Sequence, residues 1–246
     1  MPVTTSITAN DILNRVAVEV GLDAVSDPFA SADAAFIQLK FLLNSAGEDL
    51  SLIHDWGFLV RETSINTTDD PSGEYPLPSD FLYMTNQTCW ERNNRVPVHL
   101  LSAQEWQYLE GRQFAADTIY AKFRLQQGKF TIYPQPVPEG LDIHYEYTSQ
   151  NWVQSAGDPE VFQPDVRNGQ DKPLFDRTLM IKALKVKFLE AKGFDTMKAQ
   201  DDLNITFASL TSHDKGAPTL NAGRGGRGFP YLDAYYNTPD TNYGNP

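Results

Sequence analysis

The chain has 246 residues, 41% hydrophobic and 21% charged, proportions ordinary for a folded protein, and a formal net charge of −12 at pH 7. That charge argues against a protein that wraps nucleic acid, which needs a cationic face, although an acidic wall suits a surface past which DNA slides. No run of 18 apolar residues exists, so no transmembrane helix is expected; a lone cysteine, Cys89, excludes an intrachain disulfide and a cysteine metal cluster.

The opening MPVTTSITAND has neither the basic start nor the apolar core of a secretory signal, and synthesis in a reducing cytoplasm is expected. Thr8 with Asp11 forms a capping box for a first helix, whose stripe is Leu13, Val16, Ala17 and Val20 and which Gly21 stops. Ser31 is the expected cap of a second helix. Its apolar residues Phe36, Leu39, Leu43, Ala46, Leu50 and Ile53 are spaced three and four apart, a heptad seam read as intramolecular bundle packing rather than a dimeric coiled coil.

At Trp56-Gly57 the period changes. Phe58 to Ile65 reads as a strand, Thr67 to Gly73 as a polar turn, and Tyr75-Pro76-Leu77-Pro78 as edge-strand or polyproline geometry. Leu82 to Trp90 is strand-like, Asn93-Asn94 a turn, and Val96-Pro97-Val98 a strand. Ser102 and Glu105 form a capping box for a short helix closed by Gly111. Ile119, Ala121, Phe123 and Leu125 alternate with Tyr120, Lys122 and Arg124. Gln126-Gln127-Gly128 turns the chain into Phe130 and Ile132. After three prolines, Ile143, Tyr145 and Tyr147 alternate with His144 and Glu146. At least five strands in this stretch predict a small sandwich or barrel.

Asn151 to Gln170 reads as a loop. A long helix is expected from Pro173 to Lys192, capped by Asp171 and ended by Gly193, with Phe175, Leu179, Ala183, Leu184, Phe188 and Ala191 as its stripe. Asp195 caps a last helix to about Ser212 with Met197, Leu203, Phe207 and Leu210 inward. Because one apolar stripe cannot bury itself, this helix must pack on the two N-terminal helices more than a hundred residues upstream. The expected fold is therefore α+β. Residues 1–57 and 171–215 make one helical bundle, 58–170 an inserted antiparallel β domain, and 216–246 an extended C-terminal tail. The tail is rich in glycine and proline yet carries Phe229, Tyr231, Leu232, Tyr235, Tyr236 and Tyr243, more aromatics than a linker needs, so it is expected to order against a partner.

No dinucleotide-binding, Walker, GxSxG or HExxH motif is present, and His54, His99, His144 and His213 have no metal-ligand spacing. Neither a catalytic set nor a cofactor or metal site is expected. Asp69-Asp70 and Asp201-Asp202 are adjacent and do not face one another. Glu91, Glu105, Glu110 and Asp117, near Trp90 and Trp106, read as solvated surface rather than a sugar-binding groove. Arg224-Gly225-Gly226-Arg227-Gly228 resembles a single RGG box, equally suited to docking on an acidic protein.

The order of segments carries a resemblance. Trp56-Gly57-Phe58, Tyr75-Pro76-Leu77-Pro78-Ser79-Asp80-Phe81, Trp90, Phe130-Thr131-Ile132-Tyr133-Pro134-Gln135-Pro136, Tyr145-Glu146-Tyr147, Trp152-Val153 and Lys192-Gly193 together resemble the head-to-tail adaptor (tail tubular protein A-like) proteins of short-tailed bacteriophages, over residues 7 to 212. The resemblance implies a structural virion protein at the head-tail junction. It implies a ring, usually of twelve copies, between the portal and the tail nozzle, with genomic DNA passing through it during ejection without sequence-specific binding. It also implies a C-terminal extension on the portal, which here would use Arg224, Arg227, Phe229, Tyr231, Leu232, Tyr235 and Tyr236. A peptidoglycan-degrading or carbohydrate-binding tail component is the alternative.

Overall fold

Thr8 opens helix α1 (Ala9–Glu19) with the expected reciprocal capping box: its hydroxyl accepts from the Asp11 N–H while the Asp11 carboxylate accepts from the Thr8 N–H. The computed structural model describes residues 7–68, 72–112 and 121–214. Helix α2 is Ala34–Ile53, followed by a 3-10 turn at Gly57–Leu59. The strands β1 (Val60–Asn66), β2 (Glu74–Pro76), β3 (Phe81–Met84), β4 (Trp90–Glu91), β5 (Val96–Pro97) and β6 (His99–Leu100) come next. Helix α3 (Ala103–Arg112) precedes β7 (Lys122–Gln126), β8 (Lys129–Tyr133) and β9 (Asp142–Ser149). Then follow β10 (Val153–Gln154), β11 (Phe162–Gln163), β12 (Lys172–Pro173), α4 (Arg177–Ala191) and α5 (Met197–Asp214).

Within the described residues the chain divides into two units. A helical unit comprises 7–61, Asp80–Tyr83 and 148–214; a β-rich unit comprises 62–79 and 84–147. In the helical unit α4 is the element against which α1, α2 and α5 all pack. Its core joins Ile12, Leu13 and Val16 of α1 to Leu39, Leu43 and Leu50 of α2 and to Leu179, Leu184 and Phe188 of α4. Removing each such leucine from water is worth about 2–3 kcal/mol. An aromatic cluster closes one end: Phe175 meets Trp56, Phe58 and Trp152 at ring-centroid distances of 5.7, 5.4 and 5.8 Å. The Trp56 indole N–H donates to the Leu50 carbonyl at 2.7 Å, so this ring is held by a directed bond as well as by packing. Gly47, inside α2, lies against the Trp152 ring. A Cβ built there would lie 2.2 Å from the indole ring, so only glycine admits it.

Several expected boundaries move, each for a local reason. The long helix starts at Arg177, not Pro173, because Asp176 is the cap, accepting from the Thr178 and Leu179 N–H groups. Lys172 and Pro173 instead pair with β10, which also pairs with β11. Asp171 is only 2% exposed and caps no helix. Its carboxylate accepts from the N–H groups of Ala156, Arg167 and Asn168 and from the Gln163 amide, at 2.7–2.9 Å. Four donors on one carboxylate fix the 156–171 loop. That loop in turn takes up two orphan N–H groups of α1, those of Ala9 and Asn10, on the carbonyls of Asp171 and Gly169. Asp33 rather than Ser31 caps α2, and Ser31 accepts from the Asp33 N–H. Ile53, the last residue of the expected seam, is 61% exposed, because the helix ends there. Met197 is exposed rather than inward, while Leu203, Phe207 and Leu210 are half-buried against the core.

The β-rich unit is built around a four-stranded sheet of order β2-β8-β7-β6, antiparallel except for the parallel pair β6–β7. A second sheet runs β1-β9-β4-β5. Gln127-Gly128 makes the β7–β8 hairpin turn with both residues at positive φ, as a two-residue hairpin requires. Phe123 and Phe130 stack at 4.4 Å and Tyr145 stacks on Phe130 at 5.1 Å, forming the unit's core with Cys89 and Ile132. Two expectations shift here too. Phe58 lies in the 3-10 turn, before β1 starts at Val60, and Leu82 to Trp90 is two short strands separated by a turn at Gln87. The α3 capping box between Ser102 and Glu105 is present, though Gly111 lies inside the helix instead of ending it.

Candidate assembly surface

The polar clusters resolve into structural roles. Glu91 is buried, not solvated. Its carboxylate accepts from the N–H groups of Asn93, Asn94 and Asp142, closing the β4–β5 turn and joining it to β9. Trp106 is buried edge-on to Tyr133, with 6.0 Å between ring centroids, so it offers no platform to a sugar. Glu105 is held below the usual carboxylate range by the hydrogen bonds from the Ser102 backbone and hydroxyl. Asp117 lies outside the described residues. Thus the Trp90/Trp106 region presents no pair of free carboxylates facing a cleft among the described residues.

His144 sits between two acids on the sheet surface, its Nδ1 3.0 Å from Glu62 and its Nε2 3.0 Å from Asp142, and Arg92 pairs with the same Glu62. His54 lies 3.4 Å from Asp214, whose carboxylate accepts from the Gly57 N–H at 3.0 Å, tying the end of α5 to the end of α2. Among the described residues no group of three or more His, Cys, Asp or Glu is placed to hold a metal ion. No helix among them is long and apolar enough to cross a membrane. The Cys89 thiol is pushed well up by burial and is therefore a poor nucleophile.

An open groove of about 740 Å³ runs along α1, lined by Asp11, Asn14, Arg15, Val18, Glu19 and Arg177 among others. Its acids are committed: Asp11 to the capping box, and Glu19 to Arg15 at 3.1 Å and Lys185 at 3.2 Å. Burial alone would push Glu19 up, but the hydrogen bonds and charges of Arg15 and Lys185 outweigh it, and its carboxyl lies below the ordinary value. The groove therefore holds balanced charges and no free base.

What the helical unit does present is apolar surface. Ile37, Phe41, Leu52 and Ile53 project from α2, and Phe194, Met197 and Ile205 from the α4–α5 turn and α5. The sequence reading missed this second face of α2. The available signal was that the helix has more apolar residues than one stripe can use. The seven expected docking residues Arg224, Arg227, Phe229, Tyr231, Leu232, Tyr235 and Tyr236 lie outside the described residues.

An α+β chain whose acids and histidines hold loops and strands in place, and whose helices expose large apolar side chains, has the features of a protein that docks on other proteins. The family model for the SU10 adaptor protein matches residues 7–180, so the chain belongs to that family of phage head-to-tail adaptors. The family implies a virion component at the head-tail junction that associates with portal and tail proteins. No curated protein matches the chain.

Proposed function

We propose that this protein forms an adaptor ring, of twelve copies, that joins the portal to the tail nozzle and lines part of the DNA conduit. The observation that carries the reading is the adaptor family's match over residues 7–180, which spans α1, α2, every described strand and the start of α4. Two physical features support it. Each copy brings a net charge of −12, and a ring of such copies repels phosphate, as a conduit for DNA must. The helical unit also leaves apolar side chains exposed, as a subunit awaiting neighbours would.

In this reading residues 216–246 reach the portal. Phe229, Tyr231, Leu232, Tyr235 and Tyr236 act as anchors, and Arg224 and Arg227 meet acidic portal groups. Ordering such a segment costs about 1–2 kcal/mol per residue, so several anchors must engage together. The test mixes the purified full-length chain with its portal and examines the product by electron microscopy and sedimentation. A ring seated on the portal is expected. A chain ending at Lys215 should keep its circular dichroism and melting curve and lose portal binding. Full-affinity binding by that shortened chain would remove the tail from the account, and failure of the full chain to bind would overturn the adaptor placement.

A further inference from the structure

Helix α2 is apolar on two opposite sides. Leu39, Leu43 and Leu50 are buried on the inner side, in the core shared with α1 and α4. Ile37, Phe41, Glu48 and Leu52 follow one line on the outer side, at spacings of four, seven and four. The three apolar side chains of that line are 40%, 74% and 63% exposed. At 1.5 Å per residue the line is about 22 Å long. The described residues stop at one end of it. Asp214, the last residue of α5, accepts from the Gly57 N–H at 3.0 Å and lies 3.4 Å from His54, the residue that follows α2. Everything after Asp214 therefore sets out from the end of α2 that carries Leu52.

We infer that, in the free chain, residues 229–236 lie extended along the outer face of α2 of the same molecule and cover it until the portal takes them. Reach and length select this occupant. Residues 215–228 span up to about 46 Å, twice the length of the line. Residues 229–236 measure about 25 Å when extended, close to the line itself. Side chains of an extended segment alternate, so Pro230, Leu232, Ala234 and Tyr236 share one side, and that side carries no charge. The tether holds the segment at an effective concentration on the order of millimolar, whereas the same segment of a second copy competes only at its concentration in solution. The outer face of α5 offers less: two apolar positions, Met197 and Ile205, with Asp201 between them. Charge is permissive and does not choose the occupant. Glu48 makes no ion pair among the described residues, Asp49 is already paired with Lys187, and the segment follows Arg224 and Arg227. Free copies thus keep α2 covered, and transfer of the aromatic residues to the portal uncovers it where a ring is to form. Only this transfer rests on the adaptor reading above; the contact within the free chain does not.

The test uses the full-length chain carrying both Glu48→Cys and Ala234→Cys, treated with a short bismaleimide; buried Cys89 does not compete for the reagent. The control carries Ala208→Cys with Ala234→Cys, since Ala208 is exposed on α5, one turn from Ile205. Mass spectrometry of an equal mixture of isotope-labelled and unlabelled chains tells links within one molecule from links between two. The Glu48 pair should link within one molecule, at a rate unchanged by tenfold dilution and at least tenfold faster than the control pair. Phe41→Asp, at a position 74% exposed, should leave the melting curve unchanged and lower that rate at least tenfold. On chains seated on the portal the rate should fall at least tenfold as well. Equal rates for the two pairs overturn the inference, as do links formed mainly between labelled and unlabelled chains. An undiminished rate in Phe41→Asp also overturns it. A link that persists on portal-bound chains overturns the transfer. A link within a chain that does not bind portal upholds the contact and sinks only the adaptor placement.

Discussion

Gly47→Ala separates two opposed expectations with one methyl group. Glycine inside a helix costs about 1 kcal/mol relative to alanine, so on propensity alone the change would stabilise α2 by about that much. The structure predicts the opposite sign. The new Cβ would lie 2.2 Å from Trp152 Cζ2 and 2.4 Å from two further ring atoms. Trp152 is itself buried against Phe175, so the ring cannot step aside without losing that contact. Overpacking a core costs about 1–3 kcal/mol, and partial expulsion of a tryptophan adds to it, since full truncation of such a side chain costs about 3–5 kcal/mol. After the propensity gain, a net loss of about 1–3 kcal/mol remains, enough to lower Tm by at least about 2 °C in a chain of this size. Urea unfolding followed by circular dichroism measures it. In a Trp152→Leu background the alanine should cost at least about 1 kcal/mol less, because the clashing ring is gone. A Gly47→Ala protein more stable than the parent would refute the packing account of this glycine.

Three further outcomes follow from buried or paired groups. Leu43→Asp places an unpaired carboxylate at a fully buried position between α2 and α4 and should cost more than about 4 kcal/mol, seen as an unfolded chain or a collapsed melting transition. Asp171→Ala strips four donors of their acceptor and should cost about 3 kcal/mol, with faster hydrogen exchange at Ala156, Arg167 and Asn168. Glu19 has a lowered carboxyl in the folded chain. Its pairing with Arg15 and Lys185 therefore stabilises above the ordinary glutamate value of about 4.3 and is lost as pH falls through the folded value. Glu19→Gln should remove that part of the acid dependence and leave stability unchanged at pH values low enough to protonate the folded carboxyl, as melting at a series of pH values would show.

Legibility followed the range of the forces involved. The 3.6 period of Phe36, Leu39, Leu43, Ala46 and Leu50 reads directly from the sequence, because each burial decision repeats along one helix. So do the two capping boxes, which act over three residues. Asp171 does not read correctly. An aspartate two residues before a proline has the local signature of a cap. What decides its role is four donors at positions 156, 163, 167 and 168, brought to it by a loop with no period of its own. Once Lys172 and Pro173 pair with β10, the helix has to wait for the next cap, Asp176. Glu91 fails for the same reason: two of its donors are local, but the third, the Asp142 N–H, lies some fifty residues away.

The outer face of α2 shows a different limit. Periodicity analysis finds the strongest stripe and assigns what lies off it to solvent, yet Ile37, Phe41 and Leu52 are as apolar as the residues on the seam. A helix that stays apolar away from its buried stripe loses favourable transfer energy at each such side chain unless something covers it. The 3.6 period is only a statement about one partner. A second partner adds a second stripe, offset around the same axis, and the two superimpose in sequence as a helix of high hydrophobicity with weakened contrast between faces. For a chain in an adaptor family, that loss of contrast carries information. In the ring proposed above it would mark a helix left to dock after the chain has folded, through Phe41 rather than through Leu43, which is wholly buried within the chain.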